Sequence, residues 1–179
     1  MVTEEVILVN EKDEQTGVME KMEAHRKGLL HRAFSVFIFN DKGEMLLQQR
    51  ALSKYHSPSL WSNACCSHPV PSEEIKAAAH RRIIEELGIN IPLDKQFHFI
   101  YKAELDNGLT EYEFDHVFTG SYDLMPDFNS DEVQDCCYKS MEAIKSSLLT
   151  HPQKFTEWFK IVFPDIENWW SKNYHHAGA

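Results

Sequence analysis

A cysteine and a histidine two residues apart, Cys66 and His68 in the run Trp61-Ser-Asn-Ala-Cys-Cys-Ser-His-Pro69, put a proton-carrying or nucleophilic thiol beside a metal-ligand type. His25 and His31 precede them, and Glu111 and Glu113 follow. Glu111 and Glu113 are spaced i,i+2 in a stretch that reads as a strand, so both carboxylates leave the same face. Three imidazoles and two carboxylates make a mixed nitrogen and oxygen site suited to a divalent cation, with Mn²⁺, Zn²⁺ or Mg²⁺ as occupant. The other seven histidines, His56 among them, read as packed or surface side chains.

These groups need elements to carry them. The sequence predicts strands over 5–10 and 30–39, then a tight turn at Asp41-Lys42-Gly43 into a second strand run over 44–49, a hairpin signal. A loop rich in Ser and Pro, 53–59, leads to the Cys66 segment. Ser72 is the expected N-cap of a helix over 73–87, closed by Gly88 in the left-handed conformation. Strands near 97–105 and 111–119 are joined by Asp106-Asn107-Gly108, and another strand is expected over 133–138. Helices are expected over 141–149, 153–162 and 166–174, broken by Pro152 and Pro164. Hairpin-linked strands with a few helices indicate an α+β or mixed α/β sandwich.

On a wheel of about 100° per residue, Ile75, Ala79, Ile83 and Leu87 form the buried arc of the 73–87 helix. Arg82 and Glu86 fall at its edge, whereas Glu74, Arg81 and Glu85 face solvent. A charged pair at the border of a core either meets a partly buried anion, with the arginine on its oxygens and a bridging Mg²⁺ on Glu86, or is a plain i,i+4 ion pair worth ~0.3–0.5 kcal/mol.

Composition narrows the field. The chain has 179 residues, 42% hydrophobic, enough for one domain with one substantial core. A formal charge of -10 argues against a nucleic-acid or anionic-membrane surface, so an anionic ligand must be held by a local cluster of Lys and Arg. The first ten residues resemble neither a signal nor a transit peptide, and no stretch approaches the ~20 apolar residues of a spanning helix. The four cysteines, in adjacent pairs, read as free thiols in a reducing cytoplasm. Nothing marks an obligate protein partner.

Taken in order, these residues resemble type I isopentenyl diphosphate isomerase, on a Nudix-like fold with a central mixed sheet flanked by helices. The helix carries most of the Nudix motif: Glu73, Arg81, Ile83, Glu85, Glu86, Gly88 and Ile89 stand at motif positions. It departs at Ser67, in place of the opening glycine, and at Arg82, where Nudix hydrolases carry a metal-binding glutamate. Losing that carboxylate disfavours attack of water on a diphosphate.

The resemblance implies that His25, His31, His68, Glu111 and Glu113 hold the metal. It matches Tyr101 to the family's catalytic tyrosine, Trp158 to its tryptophan, and Lys21, Arg50, Lys54 and Arg82 to its diphosphate-binding positions, Arg50 and Lys54 within Arg-Ala-Leu-Ser-Lys. The implied reaction protonates one carbon of an alkene and deprotonates another, with Cys66 and Glu113 as the proton-handling pair and an indole facing the carbocation. Cys65, on the opposite side of an extended segment, is the expected bystander. A Nudix diphosphohydrolase using Glu85 and Glu86 is the alternative. A non-catalytic binding module is a third reading, under which Cys66, Glu113 and Trp158 would have no role.

Overall fold

The computed structural model describes residues 4–174; His175 and His176 fall outside that range. The strands are β1 (Glu5–Val9), β2 (Gln15–Glu20), β3 (His31–Phe39), β4 (Met45–Arg50), β5 (Trp61–Ser62), β6 (Cys65–Ser67), β7 (Asp94–Glu104), β8 (Thr110–Ser121) and β9 (Val133–Lys139). The helices are α1 (Lys21–Lys27), α2 (Ile75–Leu87), α3 (Met141–Thr150) and α4 (Glu157–Tyr174). This is the expected α+β architecture, a mixed sheet covered by helices.

The sheet is organised around β3, whose residues from Ala33 to Phe39 are all buried and, apart from the hydrogen-bonded Ser35, all apolar. A strand apolar on both faces belongs in the middle of a sheet. β3 runs parallel to β8 and antiparallel to β1 and β6, and β8 in turn pairs antiparallel with β7. α2 packs its Ala78, Ala79, Ile83 and Leu87 into one core with Phe34, Val36, Ile38, Cys65 and Phe118. A second core gathers Phe37, Phe39, Tyr101 and Val117 with Met141 and Ile144 of α3 and Trp158, Phe159, Val162 and Phe163 of α4. Alternation along β6 therefore sends Cys65 into the α2 core and Cys66 toward the α4 side.

Several local expectations need correction. Ser72 is not the N-cap of α2. It adopts a left-handed φ of 69°, and Glu74 caps the helix by accepting from the Lys76 and Ala77 amides. Glu73 lies before the helix and is bonded to Arg81 and the Val70 amide. The 41–43 turn forms, but β3 and β4 share only the Phe39 and Met45 pairing before β4 leaves to join β5 and β9.

The two helices expected on either side of Pro164 are one, α4, because Phe163 and Ile166 flank the proline and are both buried in the second core. Tertiary packing thus outweighs the missing proline N–H. β2 and α1 were not expected. α1 has seven residues, too few for a readable helical period, and is set by Glu20 capping the Met22 and Glu23 amides and by Gly28 at φ 60°. The Cys66 segment, beyond the 53–59 loop, forms the short strands β5 and β6.

Gly88 closes α2 as expected, at φ 66°, with its N–H bonded back to the helix. A Cβ there would lie 2.8 Å from the Asp127 carbonyl oxygen. Gly88→Ala should therefore cost about 1–3 kcal/mol from the left-handed penalty and the contact together. A thermal melt should show Tm lower by about 3–10 °C; an unchanged Tm would contradict this account of the helix end.

Candidate active site

Strand register builds the centre of the site. His31 on β3 is the cross-strand partner of Glu113 on β8, and Glu113 is that of Tyr101 on β7. Imidazole, carboxylate and phenol thus form one row across three neighbouring strands. α1 delivers His25 from its last turn, and the segment leaving β6 delivers His68. One ligand atom from each of His25, His31, His68 and Glu113 lies within 4.8 Å of all the others.

The donor set fits a cation. His25 Nδ1 is 2.7 Å from the Lys21 carbonyl and His31 Nδ1 is 2.8 Å from the Leu29 carbonyl. A carbonyl only accepts, so each Nδ1 carries the proton and each Nε2 presents a lone pair. Both Nε2 atoms are buried without a hydrogen-bond partner, an arrangement that is costly unless something electropositive meets them. Glu113 Oε1 lies 2.9 Å from His68 Nε2 and 3.5 Å from His31 Nε2. Ligand atoms ~2.1 Å from a shared ion are separated by about 3.0–3.4 Å, so these spacings suit joint ligation.

Glu111 is set apart from this group. Its Oε2 accepts from Tyr101 Oη at 3.0 Å and its Oε1 lies 3.7 Å from His56 Nε2. Tyr101 Oη also meets Glu113 Oε2 at 2.7 Å. One phenolic proton cannot serve both carboxylates at once, so the pair is short of a proton. Burial, reinforced by the Glu113 charge, pushes the Glu111 carboxyl well up. Burial acts on Glu113 in the same sense, yet its close contacts with His31 and His68 outweigh it and hold that carboxyl well below the usual range. Of the two, Glu113 is the ionised one.

Cys66 Sγ donates to Asn63 Oδ1 at 3.1 Å and lies 3.4 Å from Ser35 Oγ. Both Asn63 amide hydrogens are committed to the Val36 and Cys65 carbonyls, which turns its oxygen toward the thiol. Ser35 Oγ donates to the buried Asp115 at 2.7 Å. Burial pushes the Cys66 thiol up, with the Asp115 charge adding to it, so the sulfur is protonated at rest.

Cys66, His68, Tyr101, Glu111, Glu113 and Trp158 line a cavity of about 520 Å³, in the range of small-molecule sites. His25 and His31 stand behind it. Trp158 is fixed by its Nε1–H donating to Ser62 Oγ at 2.9 Å, and the Arg50 guanidinium sits 5.2 Å from its ring centroid. Lys21, Arg50, Lys54, Arg82 and Glu86 line the same cavity. The edge position read for Arg82 and Glu86 holds: Glu86 is buried, bonded to Arg82 Nη2 at 2.6 Å and to Gln48 Nε2 at 3.0 Å.

Every residue singled out for the isomerase reading thus reaches one cavity or the cluster behind it, whereas Glu85 of the hydrolase alternative is exposed and outside the cavity lining. His56, one of the histidines read as packed or surface side chains, is packed: it is buried, edge-on to Trp158 with ring centroids 5.7 Å apart, and lines this cavity. Asn63, Ser35 and Glu132 escaped notice, and no local signal marks them. Asp115 does have one: it extends the Glu111 and Glu113 alternation by one more step.

The sheet, α2 and the cavity at its edge define a NUDIX domain, and the model of that family matches residues 29–159. A crystal structure of a Deinococcus radiodurans protein has the same fold, with a TM-score of 0.77 at 19% identity over 90% of this chain and 98% of the other. The MutT protein from Methanosarcina mazei aligns with a TM-score of 0.63 at 22% identity, over 78% and 95%. Within that class the chain belongs to the isopentenyl-diphosphate Delta-isomerase family. It is 51% identical to the isopentenyl-diphosphate Delta-isomerase of Pectobacterium atrosepticum over 166 residues, 93% of each chain. It is 50% identical to isopentenyl-diphosphate Delta-isomerase 1 of Aromatoleum aromaticum, over 88% of this chain and 89% of the relative.

Proposed function

We propose that this enzyme interconverts isopentenyl and dimethylallyl diphosphate by adding a proton at one end of an allylic system and removing one at the other. The observation that carries the reading is that the Cys66 thiol and the paired Glu113 and Tyr101 line one cavity whose wall includes Trp158 and whose cations are Lys21, Arg50, Lys54 and Arg82.

An unactivated alkene is a weak base, so its terminal methylene needs a positioned acid and a place for positive charge to develop. Delivery falls to the Glu113 and Tyr101 side, and Cys66 takes the proton from the carbon nearer the diphosphate. A forward turnover begins with a proton on the Glu113 and Tyr101 side and a thiolate at Cys66 and ends with sulfur protonated and Glu113 ionised, so one proton must pass from Cys66 back to that side before the next turnover. The reverse reaction exchanges the roles. Between the steps the tertiary cation faces the Trp158 indole, which stabilises it by ~0.5–2 kcal/mol. The indole cannot capture it as a carboxylate or water would.

Bound divalent cations supply fixed positive charge, Mn²⁺, Zn²⁺ or Mg²⁺ at His25, His31, His68 and Glu113 with Glu111 adjoining, and Mg²⁺ with the diphosphate at Glu86. Arg82 in the helix motif favours isomerisation over hydrolysis, because it removes a carboxylate that a hydrolytic site would use. Among the described residues no helix is long and apolar enough to cross a membrane. The free cysteines suit the reducing cytoplasm.

Incubation with isopentenyl diphosphate and Mg²⁺ in deuterated water should yield dimethylallyl diphosphate carrying deuterium in a methyl group. Release of inorganic phosphate without isomerised product would replace this reading with hydrolysis.

A further inference from the structure

The cations at the cavity mouth are not idle in the free protein. Lys21 is paired with Glu4 at 3.1 Å, Lys54 with Glu132, and Arg82 with Glu85 and Glu86 at 2.6 Å each and with Glu132 at 3.5 Å. Arg50 forms no salt bridge among the described residues. Glu132 differs from the other carboxylates because it bridges two of these cations from two different elements, the loop after β4 and helix α2.

We propose that Glu132 is an internal anionic competitor for the diphosphate: its carboxylate occupies Lys54 and Arg82 in the free enzyme and must yield them to the substrate, so it sets the affinity and release of the anionic tail. This inference rests on the reading of Lys54 and Arg82 as the diphosphate cradle.

Three observations support it. Glu132 lines the cavity beside Lys54 and Arg82. Its backbone is fixed, with the carbonyl accepting from the Ala51 amide at 3.1 Å, its N–H donating to the Asn129 carbonyl at 3.0 Å, and Val133 in register with Arg50. The Glu132 backbone cannot follow an incoming ligand, and only its side chain can swing. Finally, the side chain is 25% exposed, against 59% for Glu4, so its charge is felt more strongly than that of the solvated Glu4 pair.

Burial opposes ionisation of Glu132, but the hydrogen bond and charge of Lys54 outweigh it and the carboxyl stays charged at neutral pH. A polyanion therefore meets two cations already neutralised in part, next to a like charge. Retaining Glu132 makes sense for an enzyme whose substrate and product carry the same tail, since a cradle of four bare cations would hold the product as firmly as the substrate.

The test is calorimetric titration of inorganic pyrophosphate, with Mg²⁺ present, into wild type, Glu132→Gln, Glu132→Ala and Lys54→Ala. The amide keeps the shape and one hydrogen-bond acceptor while removing the charge. Both Glu132 variants should bind about 3- to 30-fold more tightly, and KM for isopentenyl diphosphate should fall without a rise in kcat. Lys54→Ala should bind more weakly. If Lys54→Ala weakens binding but Glu132→Gln binds no more tightly than wild type, Glu132 merely props up its neighbours and the inference is overturned while the cradle stands. If wild type does not bind pyrophosphate, or Lys54→Ala leaves binding unchanged, the cradle reading fails and takes the inference with it.

Discussion

Cys66→Ala should reduce isomerase turnover by about 10²–10⁴-fold, the usual cost of removing a positioned acid or base, whereas Cys65→Ala should keep most of it. The two thiols are neighbours in sequence but lie on opposite faces of β6. Cys65 is fully buried among Ala78, Ile83 and Phe118 in the α2 core, where loss of one sulfur costs about 1 kcal/mol of stability and leaves the cavity wall intact. Cys66 reaches the cavity and is aimed by Asn63 and Ser35. Rates of dimethylallyl diphosphate formation, with melting curves to show that both variants fold, decide the matter. Equal losses in the two variants would refute the choice of thiol.

Glu113→Gln should be at least as damaging, at about 10³-fold or more, because one carboxylate serves two purposes. Its Oε2 accepts from Tyr101 and its Oε1 lies at the histidine cluster, so neutralising it removes both a proton carrier and a metal-ligand charge. Metal content of the purified variant, read by elemental analysis, should fall well below one per chain. Glu111→Gln is the informative comparison. Glu111 lies outside the four-residue group and contacts Tyr101 and His56 instead, so that variant should retain metal while losing activity through Tyr101. Equal metal loss in both variants would restore Glu111 to full ligand standing, as the family resemblance implies.

Much of the site was legible before the fold was known, for a chemical reason. Groups that handle protons, metals or phosphate come from a short list of side chains, and here their order along the chain matches a known pattern closely. The i,i+2 spacing of Glu111 and Glu113 also makes their common face a matter of strand geometry alone. What escaped notice was either ordinary in type or ambiguous in role. His56 looks like any surface histidine until the loop carrying it folds under Trp158. Asn63 and Ser35 matter only because Cys66 lands between them, and Glu132 only because β9 lies beside β4.

Backbone details failed where local and tertiary preferences conflict. Pro164 predicted a break, yet the apolar residues around it are buried on one helix face, and that burial outweighs one missing hydrogen bond. Ser72 is a better intrinsic cap than Glu74, but the Pro71 and Ser72 turn leaves Glu74 at the helix mouth, while Glu73 is held by Arg81. Short elements such as α1 and β6 carry too few residues for any periodicity to show.

By itself, then, the sequence determined the chemical inventory, the alternation of faces and the class of fold, because these follow from side-chain type and from periods of two and 3.6 residues. Only the tertiary structure decided that Glu113 meets the clustered histidines while Glu111, sharing Tyr101 with it, stands apart from them. It also decided which thiol faces the cavity's contents and which anion holds the cations in waiting. Those outcomes depend on the register of β3, β8 and β7 and on which strand lies beside which, relations between distant segments that packing of the whole core sets and no local pattern encodes.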